Sequence, residues 1–211
     1  MARKNTLNQL KEKEREVRTT IIMDAAERVF AVMPFDKVSM REIADEAGMA
    51  TSSIYTYFPN QEALFVETTI RHHRQLTSMF EKSIAENRAS MNIEAVISDF
   101  LDFIRVNDGY YRMMTLFMSR GNVSIESADK INEVVRQTFD RFDELFKDIP
   151  LNGNRRILSH YFFTLLNGLL VTYLKMPGRQ TEDIDKHMKT IASLAADMIR
   201  SLNVVNCESP L

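Results

Sequence analysis

The 211-residue chain is predicted to be all-α, with an N-terminal three-helix domain containing a helix-turn-helix and a larger helical domain behind it, about nine helices in total. Three observations predict this. Apolar residues recur at three- and four-residue spacing along most of the chain. Valine and isoleucine never alternate with polar residues as a half-buried strand requires. Proline and glycine are scarce, at 5 and 6, and most of them stand where the apolar pattern breaks.

The first helix is read over Leu10 to Met33, where Val17, Ile21, Ala25, Val29 and Val32 share one face and Pro34 stops the pattern. In "VSMREIADEAG", Ser39 followed by Glu42 forms a capping box, so a second helix opens at Met40, turns Ile43, Ala44 and Ala47 inward and leaves at Gly48. A third, very short helix follows in "ATSSIYTYF". Ile54 and Phe58 lie four apart and anchor it, Thr51, Ser52, Tyr55 and Thr56 take the other side, and Pro59 ends it. Asn60 caps a long helix running to about Glu86. Five more segments are placed at 92–107, 110–120, 125–148, 153–175 and 181–203, with breaks at Gly109, Gly121–Asn122, Pro150–Gly153 and Pro177–Gly178.

A net charge of −2 does not announce a nucleic-acid binder. Residues 1–20, however, carry Arg3, Lys4, Lys11, Lys13, Arg15 and Arg18 against Glu12, Glu14 and Glu16. That stretch reads equally well as a solvated helix face or as a phosphate-contacting arm. One cysteine, Cys207, excludes an intramolecular disulfide and any multi-cysteine metal motif, and points to a reducing, cytoplasmic setting. The most apolar run, "YFFTLLNGLLVTYL", is interrupted by Asn167 and Gly168 and is too short to span a bilayer, so no membrane partner is expected. Enzyme signatures are missing: there is no His-x-x-x-His or Glu-x-x-His pair, no G-x-S-x-G and no phosphate-cradling glycine loop. No catalytic residue, metal site or cofactor is expected.

The run "AAERVFAVMPFDKVSMREIADEAGMATSSIYTYFPNQEALF" resembles the N-terminal domain of the tetracycline-repressor (TetR/AcrR) family of transcriptional regulators. The resemblance rests on Ala25, Ala26, Phe30, Phe35, Val38, Ser39, Ile43, Ala44, Ala47, Gly48, Ile54, Tyr55, Tyr57, Phe58, Asn60, Glu62 and Leu64, and above all on the "IYxYF" pattern. It implies a DNA-binding domain over 15–75, with the helix-turn-helix at about 39–58, and a ligand-binding and dimerisation domain over 76–205. Thr51 and Ser52 would reach base edges, Thr56 would lie on the same DNA-facing side, and Tyr55 would orient the helix through a phosphate. Tyr57 is as suited to packing as to phosphate. Ser39, Met40 and Gln61 would lie near the backbone, with Ser39 a helix cap first. Four positions depart from the family's usual residues: Pro34, Ala50, Ser52 and Gln61. With Ala50 in place of a serine cap, Thr51 is expected to cap the third helix. Gln61 in place of lysine removes a cation.

The implied function is a ligand-responsive regulator, a repressor that binds a palindromic double-stranded DNA operator as a homodimer and is released by a small hydrophobic effector. The last two helices have apolar faces wider than one core needs, and Gly168 permits close approach; they are the expected dimer contact. Candidate effector-binding residues are Phe103, Asn107, Tyr110, Met113, Met114, Phe117, Met118, Phe162, Phe163, Leu166 and Asn167, with Arg112 and His160 as further polar candidates. The competing reading is a helical hydrophobic-ligand carrier that has lost specific DNA binding.

Overall fold

A computed structural model describes residues 2–90, 92–120, 123–149, 154–173 and 176–201, and side chains for all of these except 2–6 and 117–120. Among them are nine α-helices: α1 (Ala2–Val32), α2 (Met40–Ala47), α3 (Thr51–Tyr55), α4 (Gln61–Asn87), α5 (Ile93–Val106), α6 (Asp108–Arg120), α7 (Ile125–Leu145), α8 (Arg155–Tyr173) and α9 (Thr181–Arg200). No strand occurs among the described residues. The helix boundaries expected at 153, 175 and 203, and Cys207, lie outside them.

Helix boundaries differ from the sequence expectation at several points: α7 ends at Leu145 rather than near 148 and α3 at Tyr55, and two further differences have evident causes. α1 begins at Ala2 rather than near Leu10. The apolar residues of its first turns, Leu7 and Leu10, stay exposed, and i,i+4 contacts further along, such as Arg18 Nη2 to Glu14 Oε1 at 2.9 Å, help hold the exposed helix. The break between α5 and α6 falls at Asn107, not Gly109. Asn107 donates from Nδ2 to Phe103 O at 2.7 Å and closes α5, and its own carbonyl accepts the first bond of α6, from Tyr110 N–H at 3.0 Å. Gly109 is then merely in the first turn of α6.

The chain forms two compact units: Met1–His72 with Arg112–Ile131, and His73–Tyr111 with Asn132–Leu211. The first unit is built on Ile22, Ala25, Ala26 and Phe30 of α1, Ile43 and Ala44 of α2, Ile54 of α3 and Leu64 and Phe65 of α4, all buried. Phe35 stacks on Phe30 at 5.5 Å, and Phe65 meets both rings edge-on at 5.2 and 5.0 Å. Arg71 of α4 reaches back to Asp24 at 2.6 Å and Glu27 at 2.9 Å. His72 Nε2 lies 2.9 Å from the same Glu27 carboxylate. The close approach of the His72 ring, with the nearby Arg71 cation, holds the Glu27 carboxyl below its ordinary pKa against the opposing effect of burial. These contacts fix α1 against α4.

In the second unit a run of rings forms the core. Phe80 stacks on Phe100 and meets Phe142 edge-on, and Phe162 packs edge-on between Phe142 at 5.0 Å and Phe146 at 5.3 Å. A buried polar cluster lies within this unit. Thr77 donates its hydroxyl proton to His73 O at 3.0 Å, so the 2.8 Å contact between the two threonine hydroxyls takes its proton from Thr138. Thr138 Oγ1 is then the acceptor at 3.0 Å for His73, which carries its proton on Nε2. Burial lowers the His73 pKa from 6.5 to about 4 and keeps the ring neutral.

Candidate DNA-reading surface

The site is assembled by α2, its glycine turn and α3. Ser39 Oγ accepts from Glu42 N–H at 3.2 Å while Ser39 N–H donates to Glu42 Oε2 at 2.7 Å, the expected capping box. Gly48 adopts φ +65°, a left-handed conformation that favours glycine, and Met49 N–H donates to Ala44 O at 2.9 Å. Three residues later the chain is helical again. α3 contains only one full turn, Thr51–Tyr55, and Tyr57 and Phe58 both donate their N–H to Ile54 O. Pro59 disfavours helical backbone at Phe58 and so ends the element.

The division of α3 into two faces is sharp. Ile54 has no exposure and Phe58 only 4%, whereas Tyr55 is 52% exposed. Ser52 and Thr56 are exposed, and Thr51 and Tyr57 half-buried. A helix of this length presenting hydroxyls and a phenol on a firmly anchored scaffold offers donors and acceptors suited to base edges and phosphates.

Several expected positions have other structural roles. Met40 is buried, so its side chain belongs to the core and only its backbone N–H, which has no intrahelical acceptor, faces the start of α2. The Ser39 N–H and hydroxyl are both engaged by Glu42, which places a carboxylate where a phosphate was expected. Gln61 donates from Nε2 to Phe35 O at 2.7 Å and ties the start of α4 to the turn after α1. Thr51 does not cap α3: the cap position is Ala50, with no side-chain hydrogen bond, and Thr51 is the first helical residue. Arg15, one of the basic residues of the N-terminal stretch, holds its guanidinium over the Tyr57 ring at 5.7 Å, a contact the sequence reading did not include. No local pattern signals that pairing, because 42 residues separate the partners.

The effector candidates fall into different clusters. Phe103 meets Tyr110 edge-on at 6.0 Å, Phe163 meets Phe139 at 5.2 Å, and Phe162 and Leu166 are core residues of the second unit. Met113 and Met114 are buried within the first. Burial raises the Tyr110 pKa well above its ordinary value. Asn107 and Asn167 each donate to their own helix, Asn167 to Phe163 O at 2.8 Å. Arg112 donates to Ala31 O at 3.1 Å, and His160 is exposed beside Phe139. Phe117 and Met118 are in α6, but their side chains lie outside the described ones.

A capped helix, a left-handed glycine turn and a second helix with its polar face outward form a helix-turn-helix, the arrangement with which DNA-binding regulators of transcription enter the major groove. Residues 22–68 match the family model for bacterial regulatory proteins of the tetR family. The chain is 27% identical over 179 residues to the nucleoid occlusion factor SlmA of Haemophilus influenzae, covering 79% of this chain and 77% of that protein. Its fold is similar to that of the transcriptional regulator FadR from Bacillus subtilis, solved in complex with stearoyl-CoA, with a TM-score of 0.68 and 19% identity over 86% of this chain and 97% of that one. It is also similar to NalD, the secondary repressor of the MexAB-OprM multidrug efflux pump in Pseudomonas aeruginosa, with a TM-score of 0.63 and 21% identity over 85% and 96% of the two chains. The match over residues 22–68 gives the chain an N-terminal domain of the tetR type.

Proposed function

We propose that the protein is a cytoplasmic, effector-released repressor that binds a palindromic operator as a homodimer. The observation that carries this reading is the outward polar face of α3 held by buried Ile54 and Phe58. Thr51, Ser52 and Thr56 read bases, Tyr55 orients the helix on a phosphate, and Arg15 positions Tyr57. The functional division is 15–75 for DNA and 76–205 for effector and partner.

Dimerisation through α8 and α9 is supported by Tyr161, Val171, Leu194 and Met198, large apolar side chains left exposed on those two helices. Gly168 is exposed as well, and a Cβ built on it meets nothing within 4 Å, so this face is open to a close helix approach. The effector is apolar and enters the second unit, where either the packing of Phe103 on Tyr110 or that around Phe162, Phe163 and Leu166 must open to admit it; the stearoyl-CoA in the B. subtilis protein's structure supports the same chemical class. Full release, from about 1:99 to 99:1, requires the effector to favour the released state by about 5.5 kcal/mol.

Capture of sheared genomic DNA by the purified chain tests the reading. The wild type is expected to enrich one palindromic site that Thr51→Ala and Tyr55→Ala variants lose. Indiscriminate retention of the same fragments by all three proteins would defeat it.

A further inference from the structure

The N-terminal half of α1 carries a feature that DNA reading does not use. Leu7, Leu10, Glu14, Val17 and Ile21 follow one another at spacings of 3, 4, 3 and 4, the a/d rhythm of a coiled-coil seam. The four apolar members are 61%, 59%, 53% and 42% exposed. Scattered exposed leucines need no explanation, but a continuous seam over about 21 Å of helix does. The seam is one wall of a groove of about 560 Å³ whose other wall is Ala47 and Met49, at the corner leading into α3.

The charges around the seam select its occupant. Lys11, Lys13 and Arg18 fall at the flanking e and g positions, and Glu14 is the single charged residue within the seam. A second copy fits badly. In parallel pairing Glu14 would meet the other copy's Glu14 and Lys13 would meet its Arg18; in antiparallel pairing Lys11 would face Arg18. Duplex DNA has no apolar strip to cover leucine and valine at this spacing.

We infer that this groove is a docking site for an amphipathic helix of another protein, with acidic residues flanking its apolar seam and one lysine or arginine opposite Glu14. The acidic flanks pair with Lys11 and Lys13 and with Arg18, which exchanges its exposed contact with Glu14 for them, and the apolar seam covers Leu10, Val17 and Met49. The docked helix lies two residues from the start of α3, close enough for the partner to influence DNA reading.

Two labelled 21-residue synthetic helices test this by fluorescence anisotropy on the full chain. Both have leucine at a and d; one carries glutamate at e and g with a lysine opposite Glu14, and the other has the charges exchanged. The acidic helix should bind at least ~10-fold more tightly, weaken with salt, and shift the Met49 methyl resonance. Leu10→Ser with Val17→Ser should lower its affinity at least ~10-fold, and Lys13→Glu with Arg18→Glu should reverse the preference between the two helices. These positions are exposed, so circular dichroism should show unchanged folding. Equal binding of both helices, or binding indifferent to the serine variant, would overturn the inference. So would a change in the chain's own sedimentation in that variant, which would assign the seam to a second copy, or a selective loss of DNA affinity, which would assign it to the operator.

Discussion

Ile54 and Phe58 have almost no contact with solvent, while Tyr55 between them is half exposed. That contrast was legible in the sequence, because four-residue spacing fixes which side chains share a helix face. The fates of Met40 and Gln61 were not. A methionine at the first helical position and a glutamine at the next helix start look available locally, and only tertiary contacts bury the one and engage the other with Phe35 O. His73 gives a prediction at this scale. The unfolded ring takes a proton below pH 6.5 while the folded ring stays neutral to about pH 4, so its contribution is complete above pH 6.5 and is lost as pH falls through that window. The span corresponds to roughly 3 kcal/mol. In His73→Gln, which keeps a donor for Thr138, thermal melts between pH 7.5 and 4.5 should lose less stability than the wild type.

Among elements, the α2–turn–α3 unit follows from short-range rules: a capping box, a glycine and a proline each mark a boundary. The α5–α6 break was hidden because Gly109 resembles a stop, whereas the actual stop is an asparagine amide folding back on its own helix. The extra turns of α1 were hidden for the opposite reason, since an exposed helix needs no inward pattern. Gly48 tests the turn. A Cβ there meets nothing within 4 Å, so Gly48→Ala should cost only the left-handed backbone penalty of about 1 kcal/mol. Urea denaturation should show a lower midpoint with an unchanged slope. Ser39→Ala, which removes half of the capping box, should cost about 1 kcal/mol in the same assay.

For the whole molecule, helicity and the number of helices were legible from periodicity, but the composition of the two compact units was not. Residues 112–131 join the N-terminal unit, an arrangement that no local pattern encodes. The proposed dimer is a property of this scale. Leu194→Asp places a charge in the middle of the exposed apolar face of α9 and should convert dimer to monomer in sedimentation velocity, with helical circular dichroism retained. Operator affinity should fall with it, because a palindrome is held by two reading helices at once.

Selection of bound sequences from a random DNA pool, run side by side on wild type, Thr51→Ala, Ser52→Ala and Tyr55→Phe, tests the central claim that α3 reads DNA most directly. The Thr51 and Ser52 variants should relax the preferred base at matching positions of both half-sites, while Tyr55→Phe lowers affinity evenly and leaves the motif unchanged. An identical motif and affinity from all four proteins would contradict the account and move sequence reading away from α3.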